Sequence, residues 1–264
     1  MTTLRATLLA ARAANSSAFI PFIMAGDPDM AASEEIIMGL EAAGAAALEL
    51  GVPFSDPVAD GVTVQRAAER ALAKGATLQG VLALVKRLRA RGLKMPICLF
   101  SYLNPIYKMG YAAFIKAAQE AGAQGALLVD LPPEEAGEYI AAAKAAAFET
   151  VFLSSPTTSP ERLRLIDQSS SGFVYYVSRE GVTGAQAALP QQLNTRLAQL
   201  KDTMQSPIAV GFGISTPAHV QALHGKADGI VVGSALVKIV EENAGNDKAA
   251  VAEATTACVR KLLA

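Results

Sequence analysis

Short apolar runs recur along this chain about every 25 to 30 residues, each followed by an Ala-, Leu-, Glu- and Lys-rich stretch with helical spacing. The runs are Phe19–Ala25, Ala46–Leu50, Ile97–Phe100, Gly125–Val129, Thr150–Leu153, Phe173–Val177, Ile208–Val210 and Gly229–Val232. Parallel strands need long crossovers, and a helix between consecutive runs supplies one. Eight such units close naturally into a (β/α)8 barrel, the TIM-barrel architecture. An open doubly wound sheet is the competitor, because periodicity does not show closure. It would place a Gly-x-Gly-x-x-Gly turn after an early strand, and none is there. Glycine-bearing turns instead end the last two runs, where barrels keep a phosphate site.

The length of 264 residues matches one such barrel, so a single domain over 1–264 is expected, with no linker or low-complexity block. Hydrophobic residues form 52% of the chain and charged ones 18%, a globular balance that argues against disorder. A net charge of -1 without a long basic run lacks the footprint of a nucleic-acid or membrane-surface binder, which leaves small molecules as ligands. Cys98 and Cys258 are far apart in sequence and suggest no disulfide framework. Arg5 and Arg12 interrupt the apolar start of the chain, so Met1–Ala14 reads as an extra N-terminal capping helix rather than a signal peptide. No run reaches the roughly 18 apolar residues of a membrane span, and a cytoplasmic protein is expected.

In a barrel the working residues sit beyond the carboxyl ends of the strands. His219 and His224 both fall in the helix after the seventh run, where surface positions are expected, so histidine catalysis and a histidine-ligated metal are hard to build. Lys94 precedes the third strand and Lys238 follows the start of the last helix, which disfavours a Schiff-base aldolase. Carboxylates remain: Asp27, Glu49, Asp56, Asp60 and Asp130. Alternation sends Leu48 and Leu50 toward the helices and Glu49 into the barrel, where burial should raise its pKa and let acid and base forms interchange near neutrality. The competing reading is a structural ion pair. The loop Gly51–Gly61 is stiffened by Pro53 and Pro57 and offers a second carboxylate from Asp56 or Asp60, although either is equally a helix cap. Asp27 and Asp130 precede prolines and read as caps.

Gly213 and Gly233 end the seventh and eighth runs, and a helix starting at Ser234 would aim its positive end between them, a phosphate cradle. Arg179–Pro190, with Gly181 and Gly184, reads as a lid over it or as an ordinary surface loop. Phe22, Phe100, Tyr102, Leu127, Tyr175 and Phe212 lie near the strand ends, and as a group suit a flat apolar pocket for an aromatic phosphorylated substrate.

The segments Leu48–Pro57 with Asp60-Gly61, Ser101–Pro105, Gly181–Gly184, Gly211–Ser215 and Gly233-Ser234 occur in the order and character of the tryptophan synthase alpha-subunit family, which the whole chain resembles. The resemblance implies cofactor-free retro-aldol cleavage of indole-3-glycerol phosphate to indole and glyceraldehyde 3-phosphate. It implies that Glu49 is the general acid-base, that Asp60 binds the indole N–H, and that Tyr175 lies near the glutamate. It further implies that Gly184, Gly213, Gly233 and Ser234 bind phosphate and that Thr183 contacts substrate from the lid. It also implies a pyridoxal-phosphate-dependent beta subunit in an α2β2 complex, with the Pro53–Asp60 loop as contact surface. Three other functions stay open: a free-standing lyase of the same chemistry, another phosphosugar isomerase or aldolase, and a catalytically silent binding subunit.

Overall fold

The computed structural model describes residues 2–177, 193–211 and 213–264. Helix α1 (Leu4–Ala13) precedes β1 (Ala18–Met24), α2 (Met30–Ala42) and β2 (Leu48–Gly51). Two helices, α3 (Val62–Ala73) and α4 (Leu78–Ala90), lead to β3 (Ile97–Ser101); α5 (Leu103–Met109) and α6 (Tyr111–Ala121) lead to β4 (Gly125–Leu128). Then come α7 (Gly137–Ala145), β5 (Glu149–Ser154), α8 (Pro160–Ser169), β6 (Phe173–Val177), α9 (Leu193–Thr203), β7 (Ile208–Gly211) and α10 (Pro217–Leu223). The described chain closes with β8 (Gly229–Val232), α11 (Ser234–Asn243) and α12 (Lys248–Leu263). All eight strands pair in parallel and β8 returns to β1, so the sheet is a closed barrel.

Strand bounds move by one or two residues from the apolar runs, because flanking residues such as Glu149 and Gly211 join the ladders without being apolar themselves. After β2 and β3 the crossover is two helices, separated at Gly75 and Gly110, both at positive φ. Side-chain oxygens cap several helix starts: Asp29, Thr77, Ser159 and Thr216 each accept from the amide three residues on, worth about 1 kcal/mol apiece. The cap of α2 is therefore Asp29, not Asp27. Asp130 caps a helix of the neighbouring unit: its carboxylate accepts from the Leu103 amide at the head of α5 at 2.6 Å.

The pleat sorts the strand residues into two cores. Phe19, Ile23, Leu48, Leu50, Ile97 and Leu99 face the helices, while Ile20, Ala47, Cys98, Leu127, Val151 and Phe173 fill the barrel interior. Helix α1 closes the amino end of the barrel. Its Leu4 and Leu8 are fully buried in the interior cluster. Glu149 accepts from the Leu4 and Arg5 amides at 2.7 and 2.9 Å, a carboxylate on the positive end of that helix. Beside it Asp228 accepts from Arg12 at 2.9 and 2.6 Å and from the Ile208 amide at 2.8 Å. Contrary to expectation, His219 is buried, within 3.4 Å of the Ser215 amide through its Nδ1; the first turn of α10 folds it back onto the preceding loop.

Candidate active site

Glu49 lies in β2 opposite Phe22 of β1 and Cys98 of β3, its neighbours Leu48 and Leu50 directed to the helices. Its side chain points into the carboxyl half of the barrel, and only 2% of the residue is exposed. Its Oε1 is buried without a hydrogen-bond partner. Among the described residues no cation pairs with Glu49, so the fold leaves this buried carboxyl for something other than a structural ion pair. Burial, and then the like charge of Asp60, push its pKa to about 8.

Of the two loop aspartates, Asp56 is exposed and takes a hydrogen bond from the Ser55 hydroxyl at 2.5 Å. Asp60 turns into the pocket, 4% exposed. Burial raises its pKa to about 6, against the lowering effect of the Tyr102 hydroxyl, which donates to Oδ2 at 3.2 Å. The same hydroxyl accepts from the Ala59 amide at 3.0 Å, and the Tyr102 ring stacks on Phe54 with centroids 5.1 Å apart. From the next helix Gln65 donates to the Asp60 carbonyl at 2.8 Å. Loop and carboxylate are thus fixed from both sides. At pH 7 the two acids lie in opposite states, Glu49 mostly protonated and Asp60 mostly ionised.

Glu49 and Asp60 line a cavity of about 240 Å³. Phe22 and Phe100 form an edge-to-face pair, centroids 5.2 Å apart, and Tyr175 stands opposite on β6. Gly51 makes room for the Phe22 ring, since a Cβ there would lie 2.9 Å from it. Gly211 does the same for Tyr175, whose hydroxyl would overlap any side chain at that position. Burial, then the charges of Glu49 and Asp60, push the Tyr175 hydroxyl well above its ordinary pKa, so it stays a neutral donor.

The far end of the cavity is Gly213, Ile214, Gly233, Ser234 and Ala235. Gly213 is at φ 82, a conformation suited to glycine. Gly233 precedes α11, whose first amides receive no capping side chain. The pocket therefore runs from two carboxyls to the positive end of a helix, a shape for a ligand with an apolar ring at one end and an anion at the other.

Two expected pocket residues lie elsewhere. Leu127 is fully buried in the interior core one pleat below the cavity, and the position two residues further, Val129, forms the wall. Tyr102 stands behind Asp60 and holds it rather than lining the cavity. Asp27, expected as a cap, is instead buried against Arg70, whose Nε and Nη2 each donate to it at 2.8 Å. Thr183, Gly184, Phe212 and the lid segment lie outside the described residues. Sequence reasoning missed Val64, Val129, Leu153, Val177, Ile214 and Ala235 as walls. Three of them were within reach of the strand alternation, each two residues beyond an inward side chain: Leu127, Val151 and Tyr175. Among the described residues no three His, Cys, Asp or Glu side chains are grouped as metal ligands would be.

A family model described as tryptophan synthase alpha chain matches residues 8–263. A relative of that name from Geotalea daltonii is 48% identical over 230 residues, 87% of each chain. Among solved structures, tryptophan synthase subunit alpha from Legionella pneumophila aligns with a TM-score of 0.87 at 38% identity, over 100% of this chain and 98% of that one. A chain of the tryptophan synthase α2β2 complex from Pyrococcus furiosus, a structure described as the basis of mutual activation, aligns at TM-score 0.86 and 41% identity, over 94% of this chain and 98% of that one.

Proposed function

The chain belongs to the tryptophan synthase alpha chain family, and from that we propose how its pocket carries out the family's reaction. It is a lyase that cleaves indole-3-glycerol phosphate to indole and glyceraldehyde 3-phosphate, and it works with a beta subunit. The observation that carries the assignment of roles is the buried Glu49, its Oε1 unpartnered, across a pocket from the start of α11, which no side chain caps.

The substrate's phosphate lies at Gly213, Gly233 and Ser234, and its indole lies between Phe22, Phe100 and Tyr175. Glu49, protonated at neutral pH, gives its proton to indole C3. The ring becomes a cationic indolenine, and ionised Asp60, accepting the ring N–H, stabilises that charge. Glu49, now a carboxylate, takes the proton of the adjacent glycerol hydroxyl. The oxygen forms a carbonyl as the bond between C3 and the side chain breaks, and its electron pair restores the aromatic ring. Protons and electrons balance within substrate and glutamate, with no cofactor required. Tyr102 keeps Asp60 aimed at the ring.

Val58, Val62 and Tyr107 are 79%, 61% and 70% exposed, large apolar side chains in or beside the helix and loop segments that follow β2 and β3. With the Pro53–Asp60 loop they form the surface on which the beta subunit would dock. A cytoplasmic location goes with a phosphorylated biosynthetic intermediate. The test is to supply indole-3-glycerol phosphate and measure indole, with and without a beta subunit. Slow release that rises sharply with the beta subunit is expected. Full activity in isolation favours a free-standing lyase, and no release at all rejects the assignment.

A further inference from the structure

If the reading above holds, the substrate is gripped at both ends, by Asp60 at the ring and by the first turn of α11 at the phosphate. The spacing of those two elements then matters as much as the groups themselves. Asp60 stands two residues before α3, and α3 packs beside α11. The side chains between them are small: Val64, Ala67, Ala68 and Ala71 of α3 share one cluster with Val237 of α11, Phe22 and Met24. Alanine methyls permit close approach but make shallow ridges, so they resist sliding weakly.

Outside this contact runs a chain of charges. Arg70 of α3 grips both oxygens of Asp27, just beyond β1, and its Nη1 donates to Glu241 of α11 at 2.9 Å. Arg66, one turn earlier, donates to the same glutamate at 2.6 and 2.9 Å. The Asp27 side chain is only 2% exposed, and those of Arg70 and Glu241 are each 26% exposed. One planar guanidinium therefore ties the exit of β1 and the body of α11 to α3 at fixed angles, a task the single-point ammonium of a lysine cannot perform. Gln65, on the same helix, passes any displacement of α3 to the Asp60 backbone through its 2.8 Å bond. On α11, Glu241 lies seven residues, about two turns, beyond the pocket-lining Ser234.

We propose that Arg70 is a positioning residue which, through Asp27 and Glu241, sets the distance between the Asp60 end and the Ser234 end of the pocket. A buried ion pair need not add stability over an apolar pair of like size, so directional spacing accounts for its geometry better than cohesion does.

The test compares ligands that use both ends with ligands that use one. The two-ended probe is an indole joined to a phosphate through a saturated three-carbon chain; the one-ended probes are indole and inorganic phosphate. Glu241→Gln leaves the Arg70–Asp27 pair in place and should weaken the two-ended probe about tenfold while changing either short probe less than about twofold. Arg70→Met should cost the two-ended probe about a hundredfold, with Arg70→Lys in between, and substrate turnover should show a raised KM together with a lowered kcat. If Arg70→Met does not fold, Glu241→Gln still decides the matter. Equal weakening of all three probes, or a lowered Tm with unchanged relative affinities, overturns the proposal. A wild-type protein that releases no indole from indole-3-glycerol phosphate removes the functional reading and this proposal with it. Unselective variants of an active enzyme remove only the spacing role.

Discussion

At the amino end of the barrel Asp228 accepts from Arg12, from Lys201 at 3.1 Å and from the Ile208 amide, and Glu149 accepts two helix amides. At the carboxyl end Glu49 has a buried oxygen with no partner, and among the described residues the Asp60 carboxylate accepts from the Tyr102 hydroxyl alone. Burial pushes all four carboxyls up. For Asp228 the surrounding donors more than reverse it and leave the pKa lowered, whereas nothing offsets it for Glu49. The difference separates two uses of a buried acid. One is satisfied and holds elements together; the other is left in deficit, which costs stability and leaves a proton available near neutral pH.

That contrast can be broken experimentally. The largest effect expected is from Glu49→Gln, which should lower the rate of indole release by about a thousandfold while a substrate analogue still binds. Turnover within tenfold of wild type would show that another group moves the proton. Next, Asp228→Ala should leave Arg12 and Lys201 facing a buried void and destabilise the protein by about 3 kcal/mol in denaturant titration, with kcat per folded molecule unchanged. A similar loss of activity would mean that the two ends are not functionally distinct.

The same Glu49→Gln change should act on stability with the opposite sign. Because the folded pKa lies above the ordinary value near 4.5, the folded state binds the extra proton, and the wild type loses stability as pH rises from about 4.5 to about 8. The variant should therefore be more stable than wild type by roughly 4 kcal/mol at pH 8 and no more stable at pH 4, seen as crossing Tm profiles. Parallel profiles would place Glu49 in a satisfied environment after all. The smallest effect is expected from Tyr102→Phe. Wild-type activity should fall below pH about 6 as Asp60 gains a proton and above about 8 as Glu49 loses one. Removing the hydroxyl that favours the charged aspartate should move the acid limb upward, with only a few-fold loss at the optimum. An unmoved limb would assign that titration to another group.

Much of this site could be read from the chain because barrels obey short-range rules. Period and alternation placed Glu49 inward between Leu48 and Leu50, and the order of the strands placed Gly213 and Ser234 at the end of the cavity away from the carboxyls. What escaped was depth and pairing. Leu127 faces inward as expected but lies one pleat too low, and no periodicity reports where along a strand the packed core gives way to a cavity. Asp27 and Arg70 lie on different elements 43 residues apart in sequence, so their pairing has no local signature. Capping was the better local guess, yet the cap belongs to Asp29. The inward fold of His219 depends on the path of the preceding loop, which helical spacing does not encode.

The plug made by Leu4 and Leu8 has a kinetic corollary. Among the described residues the floor is sealed by these two side chains, and the cavity at Glu49 lies toward the carboxyl-end rim. Whatever reaches Glu49 must pass the same rim on its way out, so two products made in one chamber have to leave in turn. The order in which they clear the doorway, rather than the speed of bond breaking, can then decide how often the chamber is ready for another molecule.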